Sequence, residues 1–531
     1  MKRSLKAYLA MIAIASIIFT GCSSDQNSQA ETVKESESSD LSAIINTSKV
    51  EVDTEFSGND LDVGYEDSTA AHITMNGSNG EVSGNGAVYK DGILTISKEG
   101  TYVISGTLND GQIIVDGSES DKVQIVLNNA QINCSDHAPI YIKNADKVFI
   151  TLKEGTKNTL TDGTEYVQRD ENNVDGVIFS KADLTINGEG TLNITGNYKN
   201  GIVSKDDLII TNGNLNITAI KDTLNGKDCV KIKDGTFQLS AETGNGIQSK
   251  NSDDETKGYV YICGGSITVT RSREGIEGTV ILIEDGDINI TAEDDGLNSA
   301  IDSNDTASKD TAAGNDNGKT DIPVNRERED MAEKPPENVM RERSNGFGGA
   351  GGEFAVNENC YISITGGNIV IDASADGIDT NGSLYISGGN IFVSGPENSG
   401  NGGLDYNGTA EITGGTVVIA GSIGMAQGFS DTSSQYSLLY NLPTVSEGET
   451  EVILKDEDDK VVVSFKPSKK YQSVVISTPE LKKDKTYTFT SGKQTAEIKL
   501  DQIVTSNGEQ GMGRPGRNTF KPENQEQTKD K

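Results

Sequence analysis

The strongest constraint on this chain is a glycine-centred turn that recurs with apolar residues at fixed offsets. Its glycines are Gly213, Gly235, Gly265, Gly286, Gly367, Gly389 and Gly415. Five and three residues before each, and two and four after, the residue is apolar. Around Gly367 these are Ile362, Ile364, Ile369 and Ile371; around Gly286 they are Ile281, Ile283, Ile288 and Ile290. Spacing of two marks strands with one buried face. Glycine permits the sharp turn between them. The segment 183–195 fits with one extra residue in its turn.

Successive glycines lie 22, 30, 21, 81, 22 and 26 residues apart. A period of about 20–30 residues is a solenoid signature, because one repeat cannot bury its own apolar face but a stack can. The expected fold is all-β: a single-stranded right-handed parallel β-helix over 56–435, closed by a small C-terminal β cap over 436–502. The 81-residue interval holds an insertion, 302–352, rich in Asp/Asn, then charge, then Pro and Gly; it reads as a long mobile loop. Residues 503–531 read as a disordered tail.

At the N-terminus Lys2, Arg3 and Lys6 precede an apolar run over 9–18, and Gly21-Cys22-Ser23 follows. This pattern is a signal peptide, too short for a comfortable membrane span. Gly before Cys resembles the bacterial lipobox, so residues 1–22 read as a lipoprotein signal with Cys22 lipidated. Residues 23–55, rich in Ser, Glu and Asp, read as a tether. The expected location is the extracellular face of a bacterial cell membrane. Cys134, Cys229, Cys263 and Cys360 fall at different offsets from the repeat glycines and form no CxxC, which disfavours zinc and favours mostly buried free thiols.

The net charge is −35. Such a surface disfavours nucleic acid, whose phosphates need basic partners. Most of the charge is plain solubility, but carboxylates also recur at one repeat position. The motifs are Asp222-Thr223-Leu224-Asn225, Asn245-Gly246-Ile247-Gln248, Glu274-Gly275-Ile276-Glu277, Asp295-Gly296-Leu297-Asn298, Asp376-Gly377-Ile378-Asp379 and Gly403-Leu404-Asp405. Equivalent positions in stacked strands lie about 4.7–4.9 Å apart. Oxygens from neighbouring repeats can therefore share one calcium ion, whose oxygen distances are about 2.3–2.6 Å. Glu274, Glu277, Asp295, Asn298, Asp376, Asp379 and Asp405 are the expected Ca2+ ligands, with Asp302 or Asp305 of the insertion as possible additions. For Asp175, Asn200 and Asn245 ordinary turn chemistry is the better reading.

The segments "TLNDGQIIVDG" (107–117), "IFSKADLTINGEGTLNITGNYKNGI" (178–202) and "ADGIDTNGSLYISGGNI" (375–391) resemble the bacterial carbohydrate-binding domain family of calcium-binding, pectate-lyase-like β-helix lipoproteins. The resemblance spans roughly 65–500 and departs at Asp222-Thr223-Leu224, where the family tends to have D-D-G-I. It implies binding of polysaccharide, including acidic pectins such as polygalacturonate, with calcium. Calcium between protein carboxylates also accepts sugar carboxylates, turning repulsion into attraction. Neutral glycans would instead stack on aromatic rings; Tyr259, Tyr261, Tyr361 and Tyr385 are the candidates, the alternative being tyrosines packed under loops. Two other functions stay open. One is a calcium-dependent polysaccharide lyase using Arg271 or Arg273 as base, with Lys231 and Lys233 about one repeat away. The other is a structural surface adhesin. A monomer is expected.

Overall fold

The computed structural model describes residues 48–301 and 355–507. Cys22, the signal segment, the tether up to residue 47, the insertion with Asp302 and Asp305, and the tail beyond 507 lie outside the described residues.

Each repeat places a pair of strands around its glycine and a short third strand at the D-G-[IL] motif. In one repeat these are Tyr361–Ile364, Asn368–Ala373 and Ile378–Thr380. Gly367 between the first two has φ +85, and a Cβ there would stand 2.8 Å from the Gly286 carbonyl oxygen. The turn therefore needs glycine both for its conformation and for its close approach to the next repeat. The apolar offsets become columns. Leu208, Val230, Val260, Ile281, Ile362 and Leu384 pair strand to strand in parallel register, and each is fully buried. Burying one such side chain contributes about 1.5–3 kcal/mol.

The expected single-stranded right-handed β-helix is corrected by how the ladders join. Strand Lys122–Cys134 pairs through its first half with Lys147–Leu152 and through its second half with Lys157–Asp162. At the other end Tyr259–Arg271 pairs in the same way with Cys229–Ile232 and Thr236–Ala241. Between these two long strands run two arcs. One continues through Asp183–Gly188 and Asp207–Ile210, the other through Thr191–Gly196 and Asn214–Ala219. The hydrogen bonding thus closes a ring of ten parallel strands, a closed β-barrel in its pairing, with further sheets added to it. The physical reason lies in the long strands. Their turns narrow to register shifts, such as those between Ile262, Cys263 and Ser266, so one continuous strand serves both arcs.

The short third strands form a separate twelve-stranded sheet, and a four-stranded antiparallel sheet sits near the C-terminus. That small sheet comprises Val452–Lys455, Val461–Phe465, Thr486–Ser491 and Gln494–Lys499. The tail begins later than expected, since Val504–Ser506 is a strand paired with Ser437–Ser446.

Residues 48–62, most of them expected in the tether, are instead docked. The Glu51 amide donates to Thr256 O at 2.8 Å. The turn Gly58–Leu61 is capped by Ser57, and buried Asp60 meets Lys147 Nζ at 2.8 Å and Thr185 Oγ1 at 2.7 Å. Lys231 is buried against Asp53 at 3.0 Å. Cys134, Cys229 and Cys360 are buried free thiols, and Cys263 is partly buried and free.

Candidate functional site

The twelve-stranded sheet aligns the motif residues in two rows. In its fourth-position row Val203, Asn225, Gln248, Glu277, Asn298, Asp379 and Asp405 follow one another in register. Three residues earlier runs a second row: Asn200, Asp222, Asn245, Glu274, Asp295 and Asp376. Members of this second row brace the next repeat. Asp222 Oδ1 accepts from the Asn245 amide at 2.9 Å, Asn245 Oδ1 from the Glu274 amide at 3.2 Å, and Asp295 Oδ1 from the Asp376 amide at 2.8 Å. One side-chain oxygen is thereby committed to structure and, on each Asp, the other is left over.

What meets that second oxygen divides the rows. In the first half, amides supply the donors. Asn225 Nδ2 donates to Asp222 Oδ2 at 2.7 Å, and Gln248 Nε2 and Asn245 Nδ2 donate to Glu277 Oε2 at 2.6 and 2.5 Å. Lys250 pairs with Glu277, and Arg273 Nη2 stands 2.6 Å from Glu274 Oε1. In the second half the donors run out. Asp295, Asp376 and Asp379 bring ligand oxygens within 4.8 Å of one another. Among the described residues no lysine or arginine pairs with them or with Asp405. Asp405 accepts a hydrogen bond from Gln427 Nε2 at 2.7 Å. Asn298 is buried beside them, and its Oδ1 has no hydrogen-bond partner.

Crowding shows in the proton affinities, and the nearby Arg273 offsets it only in part at Asp295. Burial, then the neighbouring Asp376, pushes the Asp295 carboxyl up to about 7. Burial pushes Asp376 to about 6, and Asp405 adds to it. Burial, then Asp295, Asp376 and Asp405, pushes Asp379 to about 8. Glu274 is also raised, by burial and by Glu277. A hard divalent cation satisfies such a set: all donors are oxygens, none is a thiolate, and the orphaned Asn298 oxygen would gain a partner. The structure therefore gathers Asp295, Asn298, Asp376 and Asp379, with Asp405 beside them. It sets apart Glu274 and Glu277, which Arg273 and Lys250 pair with, although Glu274 Oε2 is left without a hydrogen-bond partner.

The tyrosines do not form an exposed strip. Tyr259, Tyr261, Tyr361 and Tyr385 are 5%, 4%, 3% and 6% exposed. They alternate outward as the period of two requires, but the N-terminal segment covers the first two. Tyr259 Oη donates to Asp53 O at 3.0 Å, and the Phe56 ring lies 6.1 Å from that of Tyr261. Lys231 and Lys233 sit over the same Phe56 ring, at 5.1 and 5.3 Å. Arg271 Nε is held by Glu293 at 2.9 Å. Arg273 is flanked by Glu274 and Asp294; burial lowers its proton affinity, but these carboxylates outweigh it and keep the guanidinium charged. A charged guanidinium is no proton acceptor.

A second acidic cluster, Asp183, Asp206 and Asp207, was not singled out in the sequence. Its signal was present: Asp183 and Asp207 each open a strand whose next residues, Leu184 and Leu208, pair.

A family model described as carbohydrate-binding domain-containing protein matches residues 90–327. A protein of the same description from Acetivibrio thermocellus is 39% identical over 201 residues, 37% of this chain and 70% of the relative. The chain belongs to this family. The chain is also similar to a solved structure described as the polysaccharide lyase-like protein from C. thermocellum, gadolinium derivative. The identity there is 34%, over 44% of this chain and 93% of that one, with a TM-score of 0.39. Membership agrees with the carbohydrate-binding part of the resemblance carried by the sequence segments, and the matched stretch begins at the end of the antiparallel strand Ala87–Lys90.

Proposed function

We propose that this protein binds polysaccharide at the second half of the acidic rows, through calcium held by Asp295, Asp376, Asp379 and Asn298 with Asp405 alongside. The carrying observation is a cluster of partly buried carboxylates with no lysine or arginine paired to them among the described residues, next to an orphaned buried amide oxygen. Calcium takes about six to eight oxygens, more than these side chains supply. The remaining positions suit the carboxylate and hydroxyls of an acidic glycan such as polygalacturonate, and Asp376, Asp379 and Asp405 keep partial exposure to solvent. Without the ion, a chain of net charge −35 repels that polymer. The reading places the protein on the outer face of a bacterial membrane, anchored through a lipidated Cys22 and acting as a monomer.

The test is calorimetric titration of polygalacturonate with calcium and with excess chelator. Affinity is expected to be at least about tenfold higher with calcium, and Asp376→Asn with Asp379→Asn should abolish that difference. Equal affinity in both conditions would overturn calcium bridging. Ultraviolet-absorbing unsaturated uronate products would point to lyase activity instead.

A further inference from the structure

After strand Lys157–Asp162 the chain adds an extra loop, residues 163–175, before strand Gly176–Ser180. The loop is pinned from several sides. Arg169 Nη2 donates to both Asp136 carboxylate oxygens, at 2.8 and 2.9 Å, and the Val167 amide donates to Asp136 O at 2.8 Å. Gln168 and Val174 exchange two hydrogen bonds. Tyr141 Oη donates to Asp170 Oδ2 at 2.7 Å. The pinned loop walls an open groove of about 560 Å³.

Two lysines line this groove. Ile142 and Ser180 pair in register and the Lys181 amide donates to Ile142 O at 3.0 Å, which brings Lys181, just past the end of its strand, beside Lys143. Their backbones are about 4.8 Å apart, and adjacent like charges repel unless an anion lies between them. Lys143 meets Asp116 at 3.3 Å. Among the described residues no carboxylate pairs with the Lys181 ammonium. The rest of the lining is Asp116, Asp170 and Glu171 with Asn144 and Asn172, and the Asn172 amide spends one of its two hydrogens on Tyr141 Oη at 2.5 Å.

We propose that this groove binds the carboxylate of a uronic-acid residue directly between Lys143 and Lys181, without a metal ion. The sugar hydroxyls donate to Asp170 and Glu171, which when ionised can only accept, and accept from the remaining Asn172 amide hydrogen. The same three acids would repel a phosphate dianion, so the lining selects a monoanion that carries hydroxyls. The inference rests on the acidic-polysaccharide reading and deepens it. A chain held at the calcium row and at this groove gains from two linked contacts.

The experiment is titration of trigalacturonate in excess chelator, where the calcium row is silent. Wild type and the Asp376→Asn/Asp379→Asn variant should bind alike. Lys143→Ala with Lys181→Ala should weaken binding at least about tenfold, the loss of two charge-assisted contacts, and Lys143→Arg with Lys181→Arg should retain it. Neutral trigalactose should not bind, and inorganic phosphate should not compete. The proposal is overturned if wild type does not bind trigalacturonate in chelator, if the double alanine variant binds equally well, or if trigalactose or phosphate occupies the groove. Failure here leaves the calcium-dependent difference for polygalacturonate intact, so the two readings fail separately.

Discussion

At the scale of single residues, the acidic row makes one substitution act in opposite directions. Asp379 has its carboxyl raised to about 8 by burial and by its acidic neighbours. The metal-free folded state therefore holds that proton more tightly than the unfolded chain, whose aspartates titrate near 4. Between these values stability falls as pH rises, because the folded state must give up a proton it prefers to keep. Asp379→Asn removes this cost. In chelator at pH 7 it should raise stability by roughly 1–2 kcal/mol, measured as melting temperature. In saturating calcium it should lower the melting temperature relative to wild type, because a ligand is gone. A change of the same sign in both conditions would remove Asp379 from the ion's coordination. Asp183 supplies the contrast. Burial, then Asp207 and Asp206, raises its carboxyl to about 6. Asp183→Asn should add roughly 1 kcal/mol at pH 7, fading as pH falls toward 4, and calcium should leave that gain unchanged. A calcium-dependent gain would make the second cluster a cation site as well.

At the scale of strands and motifs, the D-G-[IL] glycine turns out to be a packing residue. A Cβ on Gly296 would lie 2.4 Å from Ile371 Cγ2 and 2.5 Å from the Gly377 carbonyl oxygen. Neither neighbour can retreat, since one is core and the other backbone. Gly296→Ala should cost about 1–3 kcal/mol in denaturant unfolding, and should weaken calcium binding too, because it moves Asp295 and Asn298 together. Unchanged stability would mean that the repeats are more loosely stacked than this. Much of this level was legible in the sequence. The apolar offsets around Gly286 and Gly367 did become buried columns, and the first- and fourth-position motif residues did become two rows. What could not be read were events between repeats that share no pattern. Lys250, Gln248 and Asn245 reach Glu277 only because two repeats stack, so Glu274 and Glu277 looked equivalent to Asp376 and Asp379. Residues 48–56 cover Tyr259 and Tyr261 from some two hundred residues away, which no local periodicity reports. Ring closure through Lys122–Cys134 and Tyr259–Arg271 depends on turns narrowing to register shifts, which leave the spacing of apolar residues intact.

At the scale of the whole molecule, net charge and the buried row respond to different ions. Most of the acidic side chains among the described residues lie at least partly at the surface, where sodium chloride screens them. At 0.1 M salt the screening length is about 10 Å. Charges in the row are about 4.8 Å apart along the stack, well inside that length and largely removed from water. Monovalent salt should therefore relieve the general self-repulsion and hardly touch the row, whereas a coordinated divalent ion should relieve the row directly. In thermal melts, raising sodium chloride from 0.05 to about 0.3 M should raise the melting temperature equally in wild type and in Asp376→Asn/Asp379→Asn. Millimolar calcium at matched ionic strength should add a further increase in wild type only. For a free concentration of one hundred times the dissociation constant the gain is about 2.7 kcal/mol. Magnesium should achieve less, because it demands tighter octahedral geometry and gives up its waters reluctantly. If calcium and sodium chloride at equal ionic strength stabilise both proteins alike, the row is simply part of the molecule's surface charge, and the cation-binding reading fails with it.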